Sequence, residues 1–335
     1  MRFVRALAVL SSILLVTWWA LVLAFGPLVP AGARTATAAA YAAAMAAVLV
    51  LVHPLWRALA IVVAGVLVLG VLWARVEPRN DRDWLPDVAR VATAEIDGDR
   101  LTIHNVRDFA YRSETDYDER WETRTYDLSK LAGADLFLSY WGSPAIAHTI
   151  MSWDFTGGQP LAVSIETRKE RGETYSAITG FFKQFELYYV VADERDLIGL
   201  RTNHRGEDVY LYHTRMALPQ ARALLLDYVA MINELAARPR FYNALTQNCT
   251  TTIRMHQRHT MHTVPPFDWR LIVNGYADQM LYERGAIDTS LPFDDLKRRS
   301  NIVERAHAAE GTADFGSRIR EGLPVPPLAG ASDRR

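Results

Sequence analysis

Cysteine is the scarcest residue in this chain of 335: there is one, Cys249. A single thiol excludes an internal disulfide, so the redox compartment cannot be read from cysteine usage. No Lys/Arg block has the length of a nucleic-acid footprint, and a net charge of −1 singles out no class of partner. No Gly-rich phosphate loop of either common kind occurs. The segment Trp141-Gly142-Ser143-Pro144-Ala145 lacks the second glycine of a serine-nucleophile elbow. Nucleic acid is therefore not an expected partner, and serine chemistry has little support.

Charge is missing over three long stretches. Residues 6–33, 35–56 and 58–74 contain no Asp, Glu, Lys or Arg. Each is about the ~17–25 residues that a helix needs to cross a hydrocarbon core. The first, flanked by Arg2 and Arg5, has a signal-peptide alternative with cleavage at Ala31-Gly32-Ala33. Its apolar part is too long for that, and two more runs follow, so a retained anchor is expected. Gly26-Pro27 ends the first helix, and His53-Pro54 with Arg57 turns the second into the third. Trp18 and Trp19 lie mid-run, where an interfacial anchoring role does not explain them. Three spans place the termini on opposite sides. Charge counting does not settle which: Arg2, Arg5 and Arg57 favour a cytoplasmic N-terminus, against Arg34, Arg75, Arg79, Arg82 and Arg90.

Beyond residue 76 the composition turns polar. The expected organisation is a three-helix membrane anchor over 1–76, a linker over 77–99, a catalytic domain over 100–290, and a partly disordered extension over 291–335. Strands are expected at 100–106, 120–126, 136–140, 145–155, 161–167, 185–191 and 209–213. The alternation in 145–155 puts Ile146, His148, Ile150, Ser152 and Asp154 on one face. The turn Thr156-Gly157-Gly158-Gln159-Pro160 makes a hairpin with the next strand. Helices are expected over about 219–237, from Cys249 onward, and near 275–284. The stretch with Pro324, Pro326 and Pro327 reads as disordered. The fold class is α+β, a strand meander followed by helices.

Chemistry centres on Gln247-Asn248-Cys249-Thr250. Asn248 is a helix N-cap, and a thiol in the first helical turn feels the positive end of the macrodipole, which favours the thiolate. A buried, inert cysteine is the competing reading. A nucleophilic thiol needs an imidazole within hydrogen-bond reach and a third group to fix its tautomer. His148 fits the second role, since it sits inside a largely apolar strand. Glu166, on the following strand at the same parity, is the choice for the third, with Ser164 and Asp154 as competitors. His256, His259 and His262 are spaced by three and drift around a helix, so no metal is expected, and no cofactor either. The charged aromatic stretch 111–126 is either a head-group site or a solvated strand pair. Arg168, Lys169 and Arg171 make either a phosphate cradle or a polar hairpin tip.

Ala147-His148-Thr149 in a strand, followed by Tyr242-Asn243-Ala244-Leu245-Thr246-Gln247-Asn248-Cys249-Thr250, resembles the family of the Lnb N-terminal periplasmic domain. The resemblance spans roughly residues 101–262. It implies a circularly permuted, NlpC-type papain-like domain in which the histidine precedes the cysteine. It also implies a periplasmic location, with Cys249 as nucleophile and His148 as base. The family usually has Phe-Gly before its His-Thr, where this chain has Ile146-Ala147, which leaves the pair intact and alters the adjacent pocket. The function so implied is thiol acyl transfer at the inner (cytoplasmic) membrane, from a phospholipid to a lipoprotein N-terminus through a Cys thioester. A papain-like amidase or peptidase acting on cell-wall peptide is the alternative, and a non-enzymatic envelope module is the third reading.

Overall fold

The computed structural model describes residues 2–261 and 266–325. His262, Pro265 and the tail from Pro326 onward lie outside the described residues. The chain folds as two compact units.

One unit comprises Met1–Arg82, Gly172–Glu186 and Arg240–Ala244. It holds the helices α1 (Arg2–Phe25), α2 (Arg34–Leu51) and α3 (Leu55–Ala74), all long and apolar enough to cross a membrane. Their outward faces carry Leu7, Leu14, Val50, Leu67 and Val68 exposed, as expected of a surface solvated by lipid. Packing accounts for the paired tryptophans. Trp19 is buried in a cluster with Val22 and Phe182, and the Trp18 ring lies 5.3 Å from that of Phe182. Lys183 beside it donates to the carbonyl oxygens of Trp73 and Val76, at the C-terminal end of α3. A cation there satisfies orphan carbonyls and opposes the negative end of the helix dipole.

The other unit comprises Asp83–Arg171, Leu187–Pro239 and Leu245–Arg335. Its strands in order are β1 (Thr93–Asp97), β2 (Arg100–Arg107), β3 (Ala110–Tyr111), β4 (Tyr117–Asp118), β5 (Trp121–Asp127), β6 (Leu131–Tyr140), β7 (Ala147–Phe155), β8 (Leu161–Arg168), β9 (Glu186–Ala192) and β10 (Asp208–His213). Helix α4 (Glu194–Gly199) lies between β9 and β10. After them come α5 (Leu218–Ala237), α6 (Cys249–Thr260), α7 (Ala277–Glu283), α8 (Phe293–Ser300), α9 (Val303–Ala308) and α10 (Phe315–Arg318). The main sheet runs β1-β2-β9-β8-β7-β6-β10, with β5 also paired to β2. The expected α+β class stands: three apolar helices, then a sheet domain.

Two layers of helix cover the sheet. On one face Trp153 packs edge-on against Tyr228 of α5 and donates its indole N–H to the Ala221 carbonyl. Helix α6 packs beside α5, over β7 and β8. On the other face Phe137, Ile150, Ala162 and Val190 pack against Leu197 and Ile198 of α4, Ala306 of α9, and Phe315 of α10. The alternation of β7 is thus used on both sides, as its period of two requires.

The stretch 111–126 forms strands laced with ion pairs. Arg112 bridges Asp116 and Asp118, Arg124 binds Asp193 at 2.6 Å, and Arg120 pairs with Asp108. Arg168 is buried over the Trp84 ring and donates to the carbonyls of Val88 and Ala89.

Candidate active site

Helix α6 begins at Cys249. The Asn248 side chain accepts from the Thr251 amide at 2.9 Å, and the Thr251 hydroxyl accepts from the Asn248 amide at 3.0 Å, a reciprocal capping box. The thiol is therefore carried by the first helical residue, where the amide dipoles converge. It is 9 % exposed. Its sulfur lies 3.8 Å from Thr250 Oγ1, and the His148 imidazole and the Thr149 backbone are close enough to act on its charge.

His148 stands where β7 and β8 part. The ladder between them runs from Trp153↔Leu161 to Ile150↔Ser164, and His148 and Glu166 lie one antiparallel step beyond it. The same register sets them opposite each other, and the side chains meet. His148 Nε2 is 2.6 Å from Ser164 Oγ and 3.6 Å from Glu166 Oε1, and the Ser164 hydroxyl donates to Glu166 Oε1 at 2.7 Å. Nε2 is thus the nitrogen turned to Ser164 and Glu166.

Behind Glu166 the network continues into buried charge. Arg201, on a π-helical turn that follows α4, donates to Glu166 Oε1 at 2.9 Å and to Glu207 Oε2 at 3.0 Å. Ser139, the cross-strand partner of His148 on β6, donates to the same Glu207 oxygen. Glu207 is also 3.9 Å from Arg205, so Glu166 is the carboxylate of the cluster that faces the imidazole.

The electrostatics follow from this arrangement. Burial pushes the Cys249 thiol up, but the charge and hydrogen bond of His148 outweigh it and bring the pKa down from 9.0 to about 7. Burial and then Arg201 push His148 down, yet the thiolate and Glu166 outweigh them and hold it above its ordinary value. Burial likewise opposes ionisation of Glu166, and the hydrogen bond from His148 and the charge of Arg201 hold it well below the usual carboxylate range. All three shifts run the same way, toward thiolate, imidazolium and carboxylate in a row.

Asn274 joins the two halves of the site. Its Oδ1 accepts from the Ala147 amide at 3.0 Å, and its Nδ2 donates to the Ala147 carbonyl at 2.5 Å and to Thr250 Oγ1 at 2.7 Å. The same nitrogen is 3.9 Å from Cys249 Sγ. Both amide protons are committed to protein acceptors, so Asn274 positions the strand and the helix rather than binding a substrate. Gly275 continues this edge, donating to the Ala145 carbonyl at 3.0 Å. A Cβ at Gly275 would overlap the Pro144 carbonyl oxygen and come within 2.5 Å of the Ala145 carbonyl carbon. Only glycine permits that approach.

Of the sequence-predicted residues, Cys249, His148, Glu166 and Ser164 come together, and Ser164 stands between the other two partners instead of competing with Glu166. Asp154 does not join them. It lies six positions along β7 and lines a separate cleft of about 270 Å³ with Arg320. His256 is fully buried, bonded to Asp227 at 2.6 Å and to Tyr189 at 2.6 Å, and His259 leans on the same Asp227. Among the described residues there is no group of three or more His, Cys, Asp or Glu placed to hold a metal. Arg201, Glu207 and Asn274 escape sequence reasoning. Arg201 and Asn274 are ordinary polar residues far from Cys249 and His148 along the chain, and only the Asn274-Gly275 pair carries a turn signal.

Compared with known domain families, residues 117–275 match the family described as the Lnb N-terminal periplasmic domain. The matched segment is similar to that family over its length, and it contains Cys249, His148, Glu166, Arg201 and Asn274. No curated protein and no solved structure matches the chain.

Proposed function

Proceeding from that family match, we propose that the protein is a multi-pass inner-membrane thiol acyltransferase whose sheet domain works in the periplasm. The observation that carries this reading is the Cys249 thiol, lowered to about 7 by His148 at the start of a capped helix, with Ser164 and Glu166 behind the imidazole. The order of parts, a histidine strand followed by a cysteine helix, supports a permuted, NlpC-type papain-like arrangement.

In the first half-reaction the Cys249 thiolate attacks the carbonyl carbon of a phospholipid ester. Charge develops on the carbonyl oxygen, and the backbone N–H of Cys249 at the helix start is the donor that would meet it. The C–O bond breaks, the His148 imidazolium gives its proton to the leaving lysophospholipid alkoxide, and a thioester remains. In the second half-reaction the α-amine of a diacylglyceryl-cysteine at a lipoprotein N-terminus attacks the thioester. Neutral His148 takes the proton from nitrogen, the C–S bond breaks, and the thiolate returns as the amide forms. Glu166, held ionised by Arg201, stabilises the imidazolium in both directions.

The test is intact-protein mass spectrometry of detergent-purified protein incubated with phospholipid and quenched in mild acid. A fatty-acyl increment on the wild type, labile to hydroxylamine and absent from Cys249→Ser and His148→Ala, is expected. An alkylatable thiol that never gains the increment would overturn acyl transfer and point to a hydrolase that hands its acyl group to water.

A further inference from the structure

Two loops beside the cysteine–histidine pair expose large apolar side chains. Between α6 and α7, Phe267 is 67 %, Trp269 58 % and Ile272 62 % exposed. Tyr276 continues this group, its ring 5.7 Å from that of Trp269. In the loop between β6 and β7, Trp141 and Ile146 are exposed as well. These are one surface, because the Gly275 amide bonds the Ala145 carbonyl and Asn274 clasps Ala147, on either side of Ile146. Asn274 also approaches the thiol, so the surface borders the site. Grouped exposed aromatics of this kind mark an interaction surface, and Trp and Tyr with an apolar body and a polar edge suit a membrane–water interface.

The rim is cationic. Arg254 and Arg258 project one helical turn apart from α6, and Arg284 approaches them from the end of α7: burial and then the charges of Arg258 and Arg284 lower the Arg254 pKa. Asp268 and Glu283 engage Arg270, and Arg284 also reaches Asp268 at 3.3 Å. An apolar centre with a basic border matches an anionic bilayer, and the three apolar helices of the same chain keep it at a membrane.

We propose that the surface formed by Trp141, Ile146, Phe267, Trp269, Ile272 and Tyr276 docks into the head-group region of an anionic phospholipid bilayer. Docking there brings the mouth of the thiol site to the level of lipid ester groups. The inference needs the membrane anchor but not the acyl-transfer chemistry.

The experiment uses the full chain carrying Cys249→Ser, with single cysteines from Trp269→Cys, Ile272→Cys or, as a control, the exposed Glu119→Cys. Each is labelled with an environment-sensitive fluorophore and reconstituted into phosphatidylcholine vesicles with or without phosphatidylglycerol. The probes at 269 and 272 are expected to shift to the blue and to be quenched by spin-labelled lipid. Quenching should weaken without phosphatidylglycerol, and Arg258→Gln should weaken it in the same way. Probes at 269 and 272 that behave like the one at 119 would overturn the docking. Quenching indifferent to phosphatidylglycerol would overturn the anionic preference. Because the nucleophile is absent throughout, these results stand apart from the success or failure of the acyl-transfer assay.

Discussion

A thiol whose pKa lies at about 7 is half ionised where an ordinary one is almost wholly protonated. Alkylation of Cys249 should therefore rise with pH through a midpoint near 7. Replacing His148 by alanine removes the charge and the hydrogen bond that lower the thiol while leaving its burial, so the midpoint should move up by about two units or more. Glu166→Gln should move it part of the way, because the imidazolium loses its carboxylate. A profile unchanged in both variants would sink the pairing. Asn274→Ala acts differently: it frees Thr250 and the Ala147 backbone without touching the charges. Acyl transfer should fall by about 10²-fold with the alkylation midpoint little changed, which separates a positioning role from an electrostatic one.

Elements, more than single side chains, decide whether these residues meet. The β7–β8 register, Ile150↔Ser164, must hold for His148 to stand opposite Glu166, and the loop ahead of β7 must lie flat on Gly275. Gly275→Ala forces backbone against Cβ, and overpacking of this kind costs about 1–3 kcal/mol. Thermal unfolding in detergent should show the loss, with activity falling further than stability. Removing Arg201 is the harsher change. Arg201→Met leaves Glu166 and Glu207 facing each other in a buried site, at about 3–5 kcal/mol. The sign of the acid response follows from Glu166. Its folded pKa is depressed, so its contribution is complete above the unfolded carboxylate value of about 4.3 and is lost as pH falls below it. Arg201→Met should flatten that acid limb in a pH series of melting curves.

How far the sequence could be read shows at this same scale. The β7–β8 hairpin, the long helix α5 and the helix start at Cys249 were legible because each rests on local signals: alternation, a Gly-Gly turn, a proline in the first turn, an asparagine cap. Such signals also put His148, Ser164 and Glu166 at the same parity. Arg201 was not legible, because a π-helical turn has no sequence signature and its partners are held by tertiary contact. Asp154 failed as a candidate for a geometric reason: sharing a face with His148 still leaves it six residues, roughly 20 Å, along the strand. Trp18 and Trp19 needed their packing partner, Phe182, before they made sense.

At the scale of the whole molecule, the three apolar helices and the periplasmic domain family describe a membrane-anchored protein with a periplasmic domain. Alkaline carbonate should leave the full chain in the membrane pellet. With Cys249→Ser and Glu119→Cys, a membrane-impermeant maleimide should label position 119 in cells whose outer membrane alone has been opened. Labelling only after the inner membrane is also breached would reverse the orientation proposed for the sheet domain.

The helix unit contains more than the first 82 residues: Gly172–Glu186 and Arg240–Ala244 belong to it too. The anchor and the sheet domain are consequently not consecutive cassettes on the gene. Deleting residues 1–76 keeps Phe182 and Lys183 but removes Trp18, Phe25 and Trp73, against which they pack. Recombination that swaps the leading helices for those of another membrane protein meets the same interlock. Inheritance of this anchor should therefore track inheritance of the two excursions, and a soluble version has to be redesigned at both of them rather than simply cut free.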